Sequence, residues 1–119
     1  LLASSAGMPP IYYHHKNSNR TEEIIIQGMP LGAMRNLSYN LVEKKLCSGD
    51  TILLLTDGLP EQMDNHKVPF DYSRVRKYFE EIAENTPDDI IRSLIKKADD
   101  WMDGTSQADD ITFVVIKVK

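Results

Sequence analysis

Cysteine is almost absent: Cys47 stands alone, so no internal disulfide can staple this chain. A single thiol fits a reducing compartment, and a cytoplasmic location is the expectation drawn from it. Long apolar runs are missing as well. The longest, Ile52–Leu55 and Phe113–Ile116, fall far below the ~20 residues that a membrane-crossing helix requires, so no membrane segment is expected. Nor is there a basic cluster. The 14 Lys and Arg are outnumbered by 18 Asp and Glu and interspersed with them, which leaves nothing to track a phosphate backbone and argues against a nucleic-acid partner. The opening Leu1-Leu2-Ala3-Ser4-Ser5 has no initiator Met, charged leader or cleavage signal. It reads as a strand entered partway along, and a fragment is expected.

What is present suits one soluble globular domain, with 41% hydrophobic and 27% charged residues. Short strands are expected at Leu1–Ser5, Ile11–His15 and Glu22–Gln27, separated by Met8-Pro9-Pro10 and the turn cluster Lys16–Asn19. A looser alternation spans Tyr39 to Leu46. Thr51–Thr56 is apolar at nearly every position, the pattern of a strand covered on both faces. Val75, Phe79 and Ile82 recur at helical spacing and predict a helix over Tyr72–Glu84. A second helix has a full start signal: Thr86 as N-cap, Pro87 at the first position, then Asp88 and Asp89 in the electropositive first turn. Its apolar stripe, which includes Trp101 and Met102, runs to Gly104 and reads as core. Ile111–Val118 is the last expected strand. Strands, then two helices, then a strand predict an antiparallel α+β layer arrangement.

Parity places two acidic stretches together. A helix of about fourteen residues spans roughly 20 Å, and so does a strand of about six. A chain that leaves Thr51–Thr56 at the top and runs down one helix and up the next is back at the top. Ile111–Val118 must then descend, so Asp57 and Asp109-Asp110 end at one sheet edge. Carboxylates gathered there repel unless a cation neutralises them. With no His or Cys beside them they suit Mg²⁺ or Mn²⁺ better than zinc. A plainer reading stays open: Asp57-Gly58 as a turn, and Asp109-Asp110 as solvated charges ahead of a strand.

Five short segments occur in a particular order: Ser5–Pro10, Gly28–Gly32, Ser48–Asp50, Thr56–Gly58 and Asp109–Thr112. That order, over essentially the whole chain, resembles the SpoIIE/RsbU-like branch of the type-2C (PPM) metal-dependent serine/threonine protein phosphatases. The resemblance implies an antiparallel β-sandwich flanked by helices, with residues 1–119 as the C-terminal portion of the domain and its upstream part absent. It implies a binuclear Mn²⁺ or Mg²⁺ centre with Asp57 and Asp109 as ligands. Asp109 is preferred to Asp110, and Gly58, Asp110 and Glu61 are expected to support the ligands from behind. The activity implied for a complete domain is hydrolysis of phosphoserine or phosphothreonine on a regulatory protein by a metal-activated water, with no covalent intermediate. Cys47, which lacks the signature of a cysteine phosphatase loop, agrees. The family's first metal-binding aspartate lies upstream of anything here, so this chain alone is expected to be inactive. A STAS-type anti-sigma-factor antagonist is the substrate the resemblance suggests, and a homodimer is an expected assembly. The alternative is a degenerate phosphatase domain acting as a protein-binding or regulatory module.

The remaining polar residues carry blander expectations. His14 and His15 are neighbours in a strand and point to opposite faces, so both are expected at a surface or edge rather than sharing a metal. His66 is expected in a polar loop. Glu61–Phe70, directly after the Asp57 turn, is a mobile loop or a contact with a protein substrate.

Overall fold

A computed structural model describes all 119 residues. The elements in chain order are β1 (Leu2–Ser4), β2 (Ile11–His15), β3 (Arg20–Ile24), β4 (Leu41–Glu43), β5 (Thr51–Leu55), α1 (Tyr72–Ile82), α2 (Pro87–Met102) and β6 (Phe113–Lys117). Four strands form an antiparallel sheet in the order β3-β2-β5-β6, and β1 pairs with β4 in a separate two-stranded sheet. The expected α+β, antiparallel architecture is therefore the one observed.

The four-stranded sheet is the middle of three layers, and the period-2 alternation of its strands explains why. Tyr12 lies opposite Leu53 in the β2–β5 ladder, and with Leu55 they face the helices, packing against Val75, Phe79 and Leu94. The intervening residues point the other way. Tyr13, opposite Ile52, joins Ile11, Ile24 and Ile26 in a second cluster, over which Ala3 and Val42 of the small sheet pack. Strand β5 is buried on both faces, as its unbroken apolar run predicts. Burying a ring such as Phe79, which has no exposed surface, contributes roughly 1.5–3 kcal/mol over leaving it in water.

Several boundaries differ from the sequence expectation, each for a physical reason. β3 begins at Arg20 and stops at Ile24, where the expectation was Glu22–Gln27. Its partner residue is Ile11, and the preceding Pro10 has no N–H with which to extend the ladder. α1 ends at Ile82 rather than Glu84. The Lys117 ammonium of β6 reaches across and donates to the carbonyls of Ala83, Glu84 and Asn85 at 3.0, 2.8 and 3.0 Å, which fixes the helix end. α2 starts as its signal predicts, with the Thr86 hydroxyl accepting from Asp89 N at 3.3 Å. It closes on a left-handed Asp103.

One expectation is overturned outright. His14 is fully buried, not at a surface or edge. β2 is an interior strand between β3 and β5, and the face that carries His14 is the one α1 covers. Its ring meets Phe79 edge-on, and Nδ1 lies 3.1 Å from Thr21 Oγ1. His15 is half-exposed, as expected.

The glycine-rich segments lock the frame. A Cβ on Gly28 would sit 2.1 Å from the Ser5 carbonyl oxygen, so the Gly28–Gly32 segment can lie against Ser5–Pro10 only without a side chain. Asp50, at the end of Ser48-Gly49-Asp50, is buried and serves the same frame. Its carboxylate accepts from Lys16 N at 3.0 Å, Cys47 N at 2.8 Å and the Tyr13 hydroxyl. Burial pushes this carboxyl upward, but those donors outweigh it and hold it below the usual carboxylate range.

Candidate metal-binding edge

β5 and β6 are direct neighbours, with Leu55 opposite Phe113. Beyond that pair the regular ladder gives way to a splice built on one hydroxyl. Thr56 Oγ1 donates to the Asp110 carbonyl at 2.9 Å and accepts from Thr112 N at 3.0 Å, while Thr56 N donates to Thr112 O at 3.2 Å. The next residue but one, Gly58, is pressed against the same carbonyl. An added Cβ there would be 2.4 Å from Asp110 O, so only glycine allows the two backbones to approach this closely.

This splice brings Asp57 and the Asp109-Asp110 pair to one edge of the sheet, with all three side chains exposed. Asp109 is further ordered by its own loop. Its carboxylate accepts from Asp110 N at 2.7 Å, and its carbonyl accepts from Gln107 Nε2 at 2.7 Å. Asp57 opens a tight turn in which its carbonyl accepts from Glu61 N at 2.9 Å. Fully buried Leu59 anchors that turn in the core. Glu61 projects into solvent one turn on from Asp57. Tyr72 feels both charges: burial first, then the negative charges of Glu61 and Asp57, push its phenol above the usual value.

The donors gathered here are carboxylate oxygens alone, a hard set that fits Mg²⁺ or Mn²⁺. Such ions are commonly held through one or two carboxylates and keep several waters. Nowhere in the chain do three or more His, Cys, Asp or Glu side chains come together as a metal-holding group, so this edge offers part of a ligand set and not a closed cage. His14 and His66 lie outside it, and Cys47 is an exposed thiol. Met8 lines a shallow depression of about 110 Å³ with Leu54, Thr56, Thr112 and Val114, beside the splice.

Two contributors carried no warning in the sequence. Thr56 could be read only as part of Thr-Asp-Gly, and its hydroxyl proves to be the bond between the two strand ends. Gln62 sits in a polar stretch where exposure is the default, yet it is 1% exposed. The Trp101 indole donates to its carbonyl at 3.1 Å.

With its antiparallel sheet backed by a helix pair and acidic residues at one edge, the chain has the fold of solved PP2C-type phosphatase domains. Stage II sporulation protein E (SpoIIE) is the family that matches, over residues 1–119, and the chain belongs to it. Solved structures agree. The SiaA PP2C domain of Pseudomonas aeruginosa superposes with a TM-score of 0.76 at 20% identity, over 92% of this chain and 43% of that one. The RsbU and RsbW domains of Rv1364c from Mycobacterium tuberculosis give 0.72 at 21%, over 98% and 31%. A manganese-presoaked phosphatase domain of SpoIIE from Bacillus subtilis gives 0.66 at 16%, over 99% and 56%. The chain thus spans from about a third to just over half of these relatives. No curated protein sequence matches it.

Proposed function

We propose that this chain forms part of the catalytic centre of a metal-dependent phosphoserine/phosphothreonine protein phosphatase, with Asp57 and Asp109 as ligands of Mn²⁺ or Mg²⁺. The observation that carries the reading is the splice of Thr56, Gly58 and the Asp110 carbonyl, which sets both carboxylates at one sheet edge. Divalent ions bound there would supply an activated water and neutralise phosphoryl oxygens. The chain's own part is positional. Thr56 and Gly58 fix the backbone spacing, Leu59 anchors the turn, and Asp57 and Asp109 present hard oxygens toward solvent. Asp110 spends its carbonyl on the splice, and Glu61 adds charge to the Asp57 side. The substrate on this reading is a phosphorylated regulatory protein of the STAS type, met in the cytoplasm. A homodimer remains part of the proposal.

The rival is a regulatory module that binds a partner without hydrolysis. One assay separates the two. In the whole protein, Asp57→Asn and Asp109→Asn should each abolish Mn²⁺-dependent release of phosphate from a phosphoserine protein, with far-UV dichroism unchanged. Asp110→Asn should be much milder. Equal damage from Asp110→Asn would show that Asp110 is the ligand, and an active Asp57→Asn protein would remove the metal reading.

A further inference from the structure

We infer that Gln62 is a positioning residue that sets the spacing between the loops bearing Asp57 and Asp109; the inference rests on the metal reading above. Gln62 lies in the loop joining β5 to α1, and its side chain is directed at the loop joining α2 to β6. Its Oε1 accepts from Ala108 N at 3.0 Å, and its Nε2 donates to Ser106 O at 3.3 Å and to Met63 O at 3.0 Å. Its main chain is equally committed. The N–H donates to Leu59 O at 3.1 Å, and the carbonyl accepts from Phe70 N at 2.9 Å and from the Trp101 indole at 3.1 Å.

The chemistry demands an amide of this length. Across the gap the facing loop presents an N–H at Ala108 and a carbonyl at Ser106, one donor and one acceptor, and a glutamine amide supplies the complement of both. A carboxylate could take the first and not the second. A thioether would take neither and would break both bonds that tie the two loops together. Ala108 immediately precedes Asp109, whose carbonyl is held by Gln107, so the Gln62 bond sets the angle from which Asp109 approaches the edge. At its other end Gln62 follows Glu61, which closes the Asp57 turn. The two carboxylate loops are thus joined twice: by Thr56 at the strand ends and by Gln62 farther out. Groups that orient ligands in this way typically change metal affinity by 10- to 100-fold when removed.

The test uses the whole protein with Mn²⁺ as probe, comparing wild type, Gln62→Met, Gln62→Glu and Asp57→Asn by calorimetric titration, thermal unfolding and amide exchange. Gln62→Met should weaken Mn²⁺ binding by about tenfold or more and speed exchange of the Ala108 amide, with β5 amides still protected. Gln62→Glu keeps the acceptor for Ala108 and should leave that amide closer to wild type, which covers the case in which Gln62→Met folds poorly. Wild-type Mn²⁺ affinity in both Gln62 variants would overturn the positioning role alone. A wild-type titration no different from that of Asp57→Asn would overturn the metal reading and this role with it.

Discussion

His14 brings two ring nitrogens into a space that satisfies one of them. Nδ1 pairs with Thr21, whereas Nε2 is buried with no partner. Burial pushes this imidazole below its ordinary value. Glu80 of α1 and Glu84 just beyond its end pull the other way, and Lys117 of β6 and His15 of its own strand reinforce the downward push. The folded state therefore holds the ring neutral while the unfolded chain takes a proton near the ordinary value of about 6.5. Stability from this group is complete above that value and falls as pH drops through it toward the lower folded value, with a slope of at most about 1.4 kcal/mol per pH unit. Melting temperatures of wild type and His14→Leu, measured from pH 7 to 5, should diverge in slope, the wild type losing more. Parallel slopes would mean that the buried ring titrates normally.

The same residue marks a limit of sequence reading. Two adjacent histidines in a strand say which faces they take but not which face is covered, and that depends on β2 being interior. Gln62 is a similar case, because a loop glutamine carries no periodicity from which burial could be read. Asp57 and Asp109 were legible, since their convergence needs only the order of elements and their lengths, both of which are local properties.

At the scale of elements, α2 was readable because its start lies wholly in contiguous residues, from Thr86 through Asp89. The end of α1 was not, because its cap comes from Lys117 on a distant strand. This cationic cap faces the negative end of the helix dipole and satisfies carbonyls that have no partner within the helix. Burial pushes the Lys117 amine below its ordinary value, as does Lys16, while Glu84 opposes them. Lys117→Met keeps the apolar stem and removes the three hydrogen bonds. It should lower stability by about 1–3 kcal/mol, read as a lower urea midpoint with faster amide exchange in the last turn of α1. An unchanged midpoint would reduce the contact to a surface decoration.

Across the whole molecule, the two sides of the main sheet are unequally covered. Helices close one side. On the other lies only the two-stranded β1–β4 pair, whose register puts Leu2, Ser4, Leu41 and Glu43 on its outer face. Leu2 and Leu41 are each 64% exposed, and Leu31 is 79% exposed. A pair of short strands is marginal in water, and exposed leucines on such a pair invite association. The chain on its own should therefore sediment as a mixture of monomer and larger species, and Leu2→Asp with Leu41→Asp should shift it toward monomer. A wild-type chain that stays monomeric at the highest concentrations reached would contradict this.

The packing of Trp101 has a practical consequence. Its ring lies edge-on to Phe70 at 5.2 Å and beneath the Arg74 guanidinium at 5.0 Å, with the indole N–H bonded to the Gln62 carbonyl. It is also the one tryptophan in the sequence. Emission excited at the red edge of the ultraviolet band, where the five tyrosines do not absorb, therefore comes from a single indole fastened to the loop that follows Asp57. Movement of that loop, whether driven by an ion, a substrate or a neighbouring subunit, changes the solvent around that fluorophore, so the molecule carries its own optical gauge with no dye attached.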